Sequence, residues 1–164
     1  MTAEHLPIAD LPEESRKLSA ALAEAGIATD VVVLPDGVPT AAHAAEVLGV
    51  GVGAIANSLV FECGGAPLLV MTSGAHRVNT KALAERLGKS RITRASPEFV
   101  LESTGQRVGG VAPAGHPAPL ETIVDETLAG FPVLWAGGGT VSTMVSMTFD
   151  ELVRLTGGQV TSVE

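Results

Sequence analysis

An α+β domain built on a mixed sheet is the architecture this sequence predicts. Helical and strand patterns are interleaved along the chain, yet several strand patterns follow one another directly, and the breaks between them carry glycine, proline or helix-capping residues. Directly adjacent strands fit a mixed sheet better than a doubly wound one. With 164 residues, 46% of them hydrophobic, the chain is long enough for one core and short for two. A single domain over residues 1–164 is expected.

Asp10 and Glu13 have capping-box spacing, and Leu11, Leu18, Leu22 and Ala25 share a stripe that ends at Gly26, predicting an amphipathic helix over 11–25. The β-branched run from Asp30 to Leu34 reads as extended. Thr40 is placed to cap an alanine-rich helix, AAHAAEVL, that stops at Gly49. AIANSLVFEC and PLLVMTS, joined by Gly64-Gly65, predict a hairpin. Asn79 caps a helix over KALAERL closed by Gly88, and Ser96-Pro97 opens PEFVLEST, closed by Gly105. Beyond VGGVAPAGHPAP come the apolar runs LETIVDE and PVLWAGG, then VSTMVSM, which alternates as a half-buried strand does. Thr148 and Glu151 form a capping box for FDELVRL, which ends at Gly157-Gly158.

Composition narrows the function. No run approaches the roughly 18 apolar residues of a membrane span, and the N-terminus is acidic where a secretion signal would be basic and then apolar. A cytoplasmic location is expected, and no membrane partner. The lone Cys63 at the end of an apolar strand reads as an inert thiol, in keeping with a reducing compartment. Aromatics make up 3% of the chain and the net charge is -8, which argues against base stacking on rings and against broad attraction to phosphate, so DNA is not an expected partner. The charge is uneven, however: Arg77, Lys81, Arg86, Lys89, Arg91 and Arg94 form a basic stretch whose only acid is Glu85.

Several motifs dissolve on inspection. Gly49-Val50-Gly51-Val52-Gly53-Ala54 has the letters of a dinucleotide fingerprint but lies between a helix and a strand, the reverse of the order that places helix amides on a pyrophosphate, so it reads as a flexible connection. Gly137-Gly138-Gly139-Thr140 lacks the lysine and helix of a phosphate loop and reads as a tight turn. His5, His43, His76 and His116 show no metal-ligand spacing, and no G-x-S-x-G elbow presents a nucleophile.

Two features invite chemistry. Strand alternation puts Asn57 on the same face as Ile55, Leu59 and Phe61, an amide among apolar side chains that must tie down a neighbouring loop or face a cavity. In Gly109-Gly110-Val111-Ala112-Pro113-Ala114-Gly115-His116-Pro117, glycines permit close backbone approach and prolines stiffen the chain, a combination suited to holding an oxyanion or carboxyl group.

Taken together, IANSLVFEC, LLVMTSGAHRVNTKALAERLG, ASPEFVLESTGQRVGGVAPAGHP, the late VDE and the closing LVRLTGG resemble the YbaK/EbsC family, which also occurs as the inserted editing domain of some bacterial prolyl-tRNA synthetases. The resemblance runs from about residue 40 to the C-terminus, and GGVxPxGH is its most specific element. It implies a mixed sheet curled around a small pocket, and hydrolysis of the ester between a wrong amino acid, such as alanine or cysteine, and the 3′ ribose of tRNA. The implied attack is by water, assisted by the substrate's ribose hydroxyl, with no cofactor and no metal. The loop containing Gly109 and Gly110 would cradle the aminoacyl group, with Pro113, Gly115 and His116 beside it, Asn57 orienting the ester, and Ser73, His76 and Arg77 on the substrate. Lys81, Arg86, Lys89, Arg91 and Arg94 would meet tRNA. A misacylated tRNA and an aminoacyl-tRNA synthetase are the partners this implies.

The chain departs from the family at one position. Many active members read I-x-K-[ST]-L-V where this one reads Ile55-Ala56-Asn57-Ser58-Leu59-Val60, so a fixed cation is replaced by a neutral amide. Arg77 or Lys81 could restore a cation at the pocket, His116 could polarise the substrate, and His116 and Asp125 are candidates for an acid-base pair. A silent relative that binds an amino-acid-like or nucleotide ligand is the alternative reading.

Overall fold

The computed structural model describes residues 3–164. A two-residue strand, β1 (Glu4–His5), precedes the first helix, α1 (Glu13–Glu24). The capping box expected at Asp10 does not form: Asp10 is used in a 3-10 turn, and Pro12 occupies the N-cap with extended ψ and no side-chain bond. Strand β2 (Val31–Val33) leads to α2 (Ala41–Leu48), where the Thr40 side chain accepts from the His43 N–H and Gly49 closes the helix at φ 69°. The glycine-rich segment that follows is a 3-10 turn rather than a flexible connection, and a Cβ on Gly53 would lie 2.7 Å from the Phe131 ring.

The expected hairpin is β3 (Ile55–Cys63) and β4 (Ala66–Ser73). Helix α3 (Thr80–Leu87) is capped by Asn79, β5 (Thr93–Arg94) is a short strand, and α4 (Pro97–Thr104) is capped by Ser96. Strands β6 (Glu121–Asp125), β7 (Leu134–Gly137) and β8 (Thr143–Met147) follow. The Thr148/Glu151 capping box does form at the start of α5 (Phe149–Thr156), before the last strand, β9 (Gln159–Thr161).

One sheet joins the nine strands in the order β1-β2-β8-β7-β3-β4-β6-β9, with β5 also paired to β3. It is mixed, as expected: β3 runs parallel to β7 and antiparallel to β4, while β6 is parallel to both its neighbours. Alternation along β4 divides the interior. Leu69 and Met71 join Leu18, Leu22 and Leu152 in the core under α1 and α5, whereas Leu68 and Val70 join Phe61, Ile123 and Leu83 under α3. A third cluster, under α2, packs Ala44 and Ala45 on Val32, Ile55 and Met144. Ile55 therefore belongs to the α2 cluster and Phe61 to the α3 cluster, and Asn57 lies on their shared face at the seam between them.

Candidate functional site

The seam is open. Strand β3 pairs with β7 only through Ile55 and Ala56, and with β5 only through Phe61 and Glu62. Between these short ladders no strand lies opposite Asn57 to Val60. Strand β7 turns away after Gly137, where the Gly138 N–H bonds the Thr143 carbonyl at 2.7 Å in the tight turn expected there. Strand β5 ends where Ser96 and Pro97 start α4. The result is a cavity of about 900 Å³ that takes in the whole run from Ile55 to Phe61.

One end of this cavity is apolar, with Val38, Ala44, Ile55, Val111 and Met144, and the other is lined by Ile92, Thr93, Arg94 and Ala95. Asn57 sits between them, half-buried, and no hydrogen bond from the described residues engages its side-chain amide. Of the two sequence alternatives, the amide faces a cavity and does not tie down a loop.

The glycine loop closes the opposite wall through Val108, Gly109 and Val111. Gly109 has φ +91°, a conformation that favours glycine. Gly110 is buried against the β7–β8 turn, and a Cβ on it would lie 2.5 Å from the Thr140 carbonyl carbon. Gln106, which sequence reasoning passed over, holds the loop from inside: it is 2% exposed, its Oε1 accepts from the Ala112 N–H at 2.7 Å, and its Nε2 donates to the Ala114 carbonyl at 3.3 Å. A glutamine two residues past a helix is an unremarkable sequence signal, since only the folded loop brings its partners round.

Other expected site residues lie off the cavity. Gly115 packs on α1, with 2.9 Å between a would-be Cβ and the Leu18 nitrogen, and Pro113 is buried in the loop base. His116 is 2.9 Å from the Ala112 carbonyl through Nε2, a bond its Nε2–H tautomer donates. Burial lowers its pKa below the ordinary histidine value, with the Ala112 bond opposing that shift in part. His116→Ala is accordingly expected to cost about 1 kcal/mol of stability, measured by chemical denaturation, and to leave ligand affinity in the cavity unchanged.

Asp125 does not approach His116 in any recorded bond; its histidine is His76. The carboxylate, 1% exposed at the end of β6, lies 2.9 Å from His76 Nδ1. It also accepts from the Ser73 N–H at 3.0 Å, the Thr127 N–H at 3.0 Å and the Thr127 hydroxyl at 2.6 Å. Burial alone would raise the Asp125 pKa; the Thr127 and Ser73 hydrogen bonds and the charge of His76 outweigh it and hold the carboxyl below its ordinary value. His76 reaches the cavity, and its Nε2 lies 3.4 Å from Glu164 Oε1. Ser73 is a support rather than a wall: its N–H holds Asp125 and its hydroxyl donates to the Gly53 carbonyl at 2.8 Å.

The basic stretch divides. Arg77 and Arg94 are exposed and line the cavity. Lys89 pairs with Glu121 at 3.0 Å, and Arg86 donates to the Ser162 carbonyl at 3.1 Å. Lys81 and Arg91 are exposed and do not line the cavity. Among the described residues no group of three His, Cys, Asp or Glu side chains could hold a metal ion, and no helix is long and apolar enough to cross a membrane.

A mixed sheet interrupted by a half-apolar cleft, with a glycine loop and two arginines round it, is the architecture of the candidate site. The aminoacyl-tRNA editing domain matches residues 35–155, and the chain belongs to that family. An uncharacterized protein, YwhH of Bacillus subtilis (strain 168), is 32% identical over 125 residues, 75% of this chain and 78% of that protein. A proline–tRNA ligase of Trichlorobacter lovleyi is 33% identical over 98 residues, covering 57% of this chain and 17% of the ligase. Among solved structures, one described as a candidate trans-editing enzyme for prolyl tRNA synthetase is 38% identical with a TM-score of 0.88, covering 94% of this chain and 99% of that one. The resemblance drawn from IANSLVFEC and GGVAPAGH thus holds, in family and in fold.

Proposed function

We propose that this protein is an aminoacyl-tRNA deacylase acting in trans in the cytoplasm, hydrolysing the ester of a small misplaced amino acid such as alanine or cysteine, carried on proline tRNA. The observation that carries the reading is the unengaged Asn57 amide at the midpoint of the cavity, between an apolar end and the Gly109 loop. Val38, Ala44, Ile55, Val111 and Met144 make an apolar wall suited to a short aliphatic or thiol side chain. Water adds to the ester carbonyl with the substrate's ribose hydroxyl taking its proton. The Asn57 N–H donates to the oxyanion as it develops, and the bond from acyl carbon to ribose oxygen then breaks. That oxygen takes up the proton which the ribose hydroxyl gives up in exchange for the water's, giving free amino acid and an intact tRNA end.

Arg77 and Arg94 supply local positive charge for the terminal phosphates, while the net charge of -8 keeps overall tRNA affinity low and salt-sensitive and favours recruitment by a synthetase. A second reading is favoured by Asn57 itself: without the lysine many relatives carry, the cavity binds its ligand and does not turn it over. Incubation with alanyl- and cysteinyl-tRNA of the proline type separates the two. Amino-acid release supports the deacylase; binding without release supports the silent binder.

A further inference from the structure

The open stretch of β3 exposes backbone as well as side chains, and its polarity can be read from the ladder with β4. The Gly74 N–H bonds the Ile55 carbonyl at 2.8 Å, so the backbone groups of Ile55 point toward β4. Backbone direction alternates along an antiparallel strand, which turns Ala56, Ser58, Val60 and Glu62 the other way. Ala56 then meets β7 and Glu62 meets β5, as their pairings record. Ser58 faces the cavity with no strand opposite, and Val60 lies where β5 leaves: the Phe61↔Arg94 pairing brings Ala95 to its carbonyl side, and its N–H side is toward the cavity. Their side chains need nothing from that edge: Ser58 donates to the Met71 sulfur at 3.2 Å, and Val60 packs against the core under α1.

An edge of this kind presents a carbonyl acceptor at residue 58 and an amide donor at residue 60, side by side. A phosphate or carboxylate would meet the acceptor unfavourably. Adenine offers the complement on its Watson–Crick side, an N6 amino donor next to the N1 acceptor. Every tRNA that carries an amino acid ends in that base. The same stretch of cavity has Ile92 and Ala95 beside the ring, and Arg94 stands at that end for the phosphate beyond it.

We propose that the open edge of β3 reads the terminal adenine of the substrate, the Ser58 carbonyl accepting from N6 and the Val60 N–H donating to N1. The inference rests on the deacylase reading for its ligand. It places amino acid, ester and base in file along β3, at Ile55, Asn57 and Ser58 to Val60. The five residue-to-residue steps from Ile55 to Val60 span about 17 Å, enough for that sequence of groups.

The probes are 3′-alanylamido-3′-deoxyadenosine, which cannot be hydrolysed, and its purine counterpart lacking the N6 amino group, titrated into the full protein. The adenosine compound is expected to bind about tenfold more tightly and to move the Val60 amide resonance, as one lost hydrogen bond to a half-buried partner requires. Val60→Pro, which removes that N–H at a residue paired with Leu69 but whose backbone groups point away from β4, is expected to weaken both compounds about tenfold and to leave the difference between them. Equal affinity of both compounds for the wild-type protein would overturn the adenine assignment while leaving deacylation of alanyl-tRNA untouched. Failure of either to bind, with no release from alanyl-tRNA, would overturn both.

Discussion

Asn57→Lys is expected to raise the rate of alanyl-tRNA hydrolysis about a hundredfold. The position lies midway along the cavity, half-buried, with its amide unengaged, so a longer side chain has room to extend and no existing bond to break. A preorganised contact to a developing oxyanion is worth roughly 3 kcal/mol, and a charged donor in a site sheltered from water exceeds a neutral amide by a similar factor. The gain is expected in kcat more than in KM, because the added charge matters most when the carbonyl oxygen becomes an anion. Asn57→Ala, which removes the donor, is expected to lower kcat by at least tenfold, and single-turnover kinetics on purified alanyl-tRNA measure both changes.

Asp125→Ala is expected to cost the largest amount of stability of any single polar substitution considered, about 3 kcal/mol, or a fall in Tm of roughly 10 °C. The carboxylate is 1% exposed and takes hydrogen bonds from Ser73, Thr127 and His76, so its removal strands buried donors at the junction of β4 and β6. Asp125→Asn keeps one acceptor oxygen and should lose less. The pH dependence has a definite sign. Since the folded carboxyl titrates below its ordinary value, its contribution is fully present above about pH 4 and is lost as pH falls through the lower folded value. Denaturation curves between pH 7 and pH 2 should therefore converge for wild type and Asp125→Ala only at the acid end.

Much of the architecture was legible where the chain writes its own boundaries. Thr40, Asn79, Ser96 and Thr148 each accept from a backbone N–H in the first turn of the helix they cap, and Gly49, Gly88, Gly105 and Gly157 close those helices with positive φ. Strands β1, β5 and β9 were not legible, because two or three residues are too few for a period to emerge and they lack the unbroken valine run that marks the equally short β2. Asp10 failed as a cap because Pro12 delays the helix beyond the reach of the box.

The site divides in the same way. Asn57 and Gly109 were visible as a polar residue out of place and as a glycine in a stiff loop, and both line the cavity. The pairing of His76 with Asp125 spans 49 residues and depends on β4 lying parallel to β6, which no local pattern encodes. His116 stood out through its neighbours Gly115 and Pro117, yet the fold turns its ring back onto Ala112. The gap in the sheet is less local still, since it needs β7 and β5 to leave β3 from opposite ends.

Amino-acid release from a panel of mischarged tRNAs, including alanyl- and cysteinyl-tRNA of the proline type, tests the central claim most directly, with wild type and Asn57→Lys assayed side by side. Catalytic release of alanine or cysteine by the wild-type protein, faster in the lysine variant, is the predicted result. No release from any substrate by either protein would contradict it.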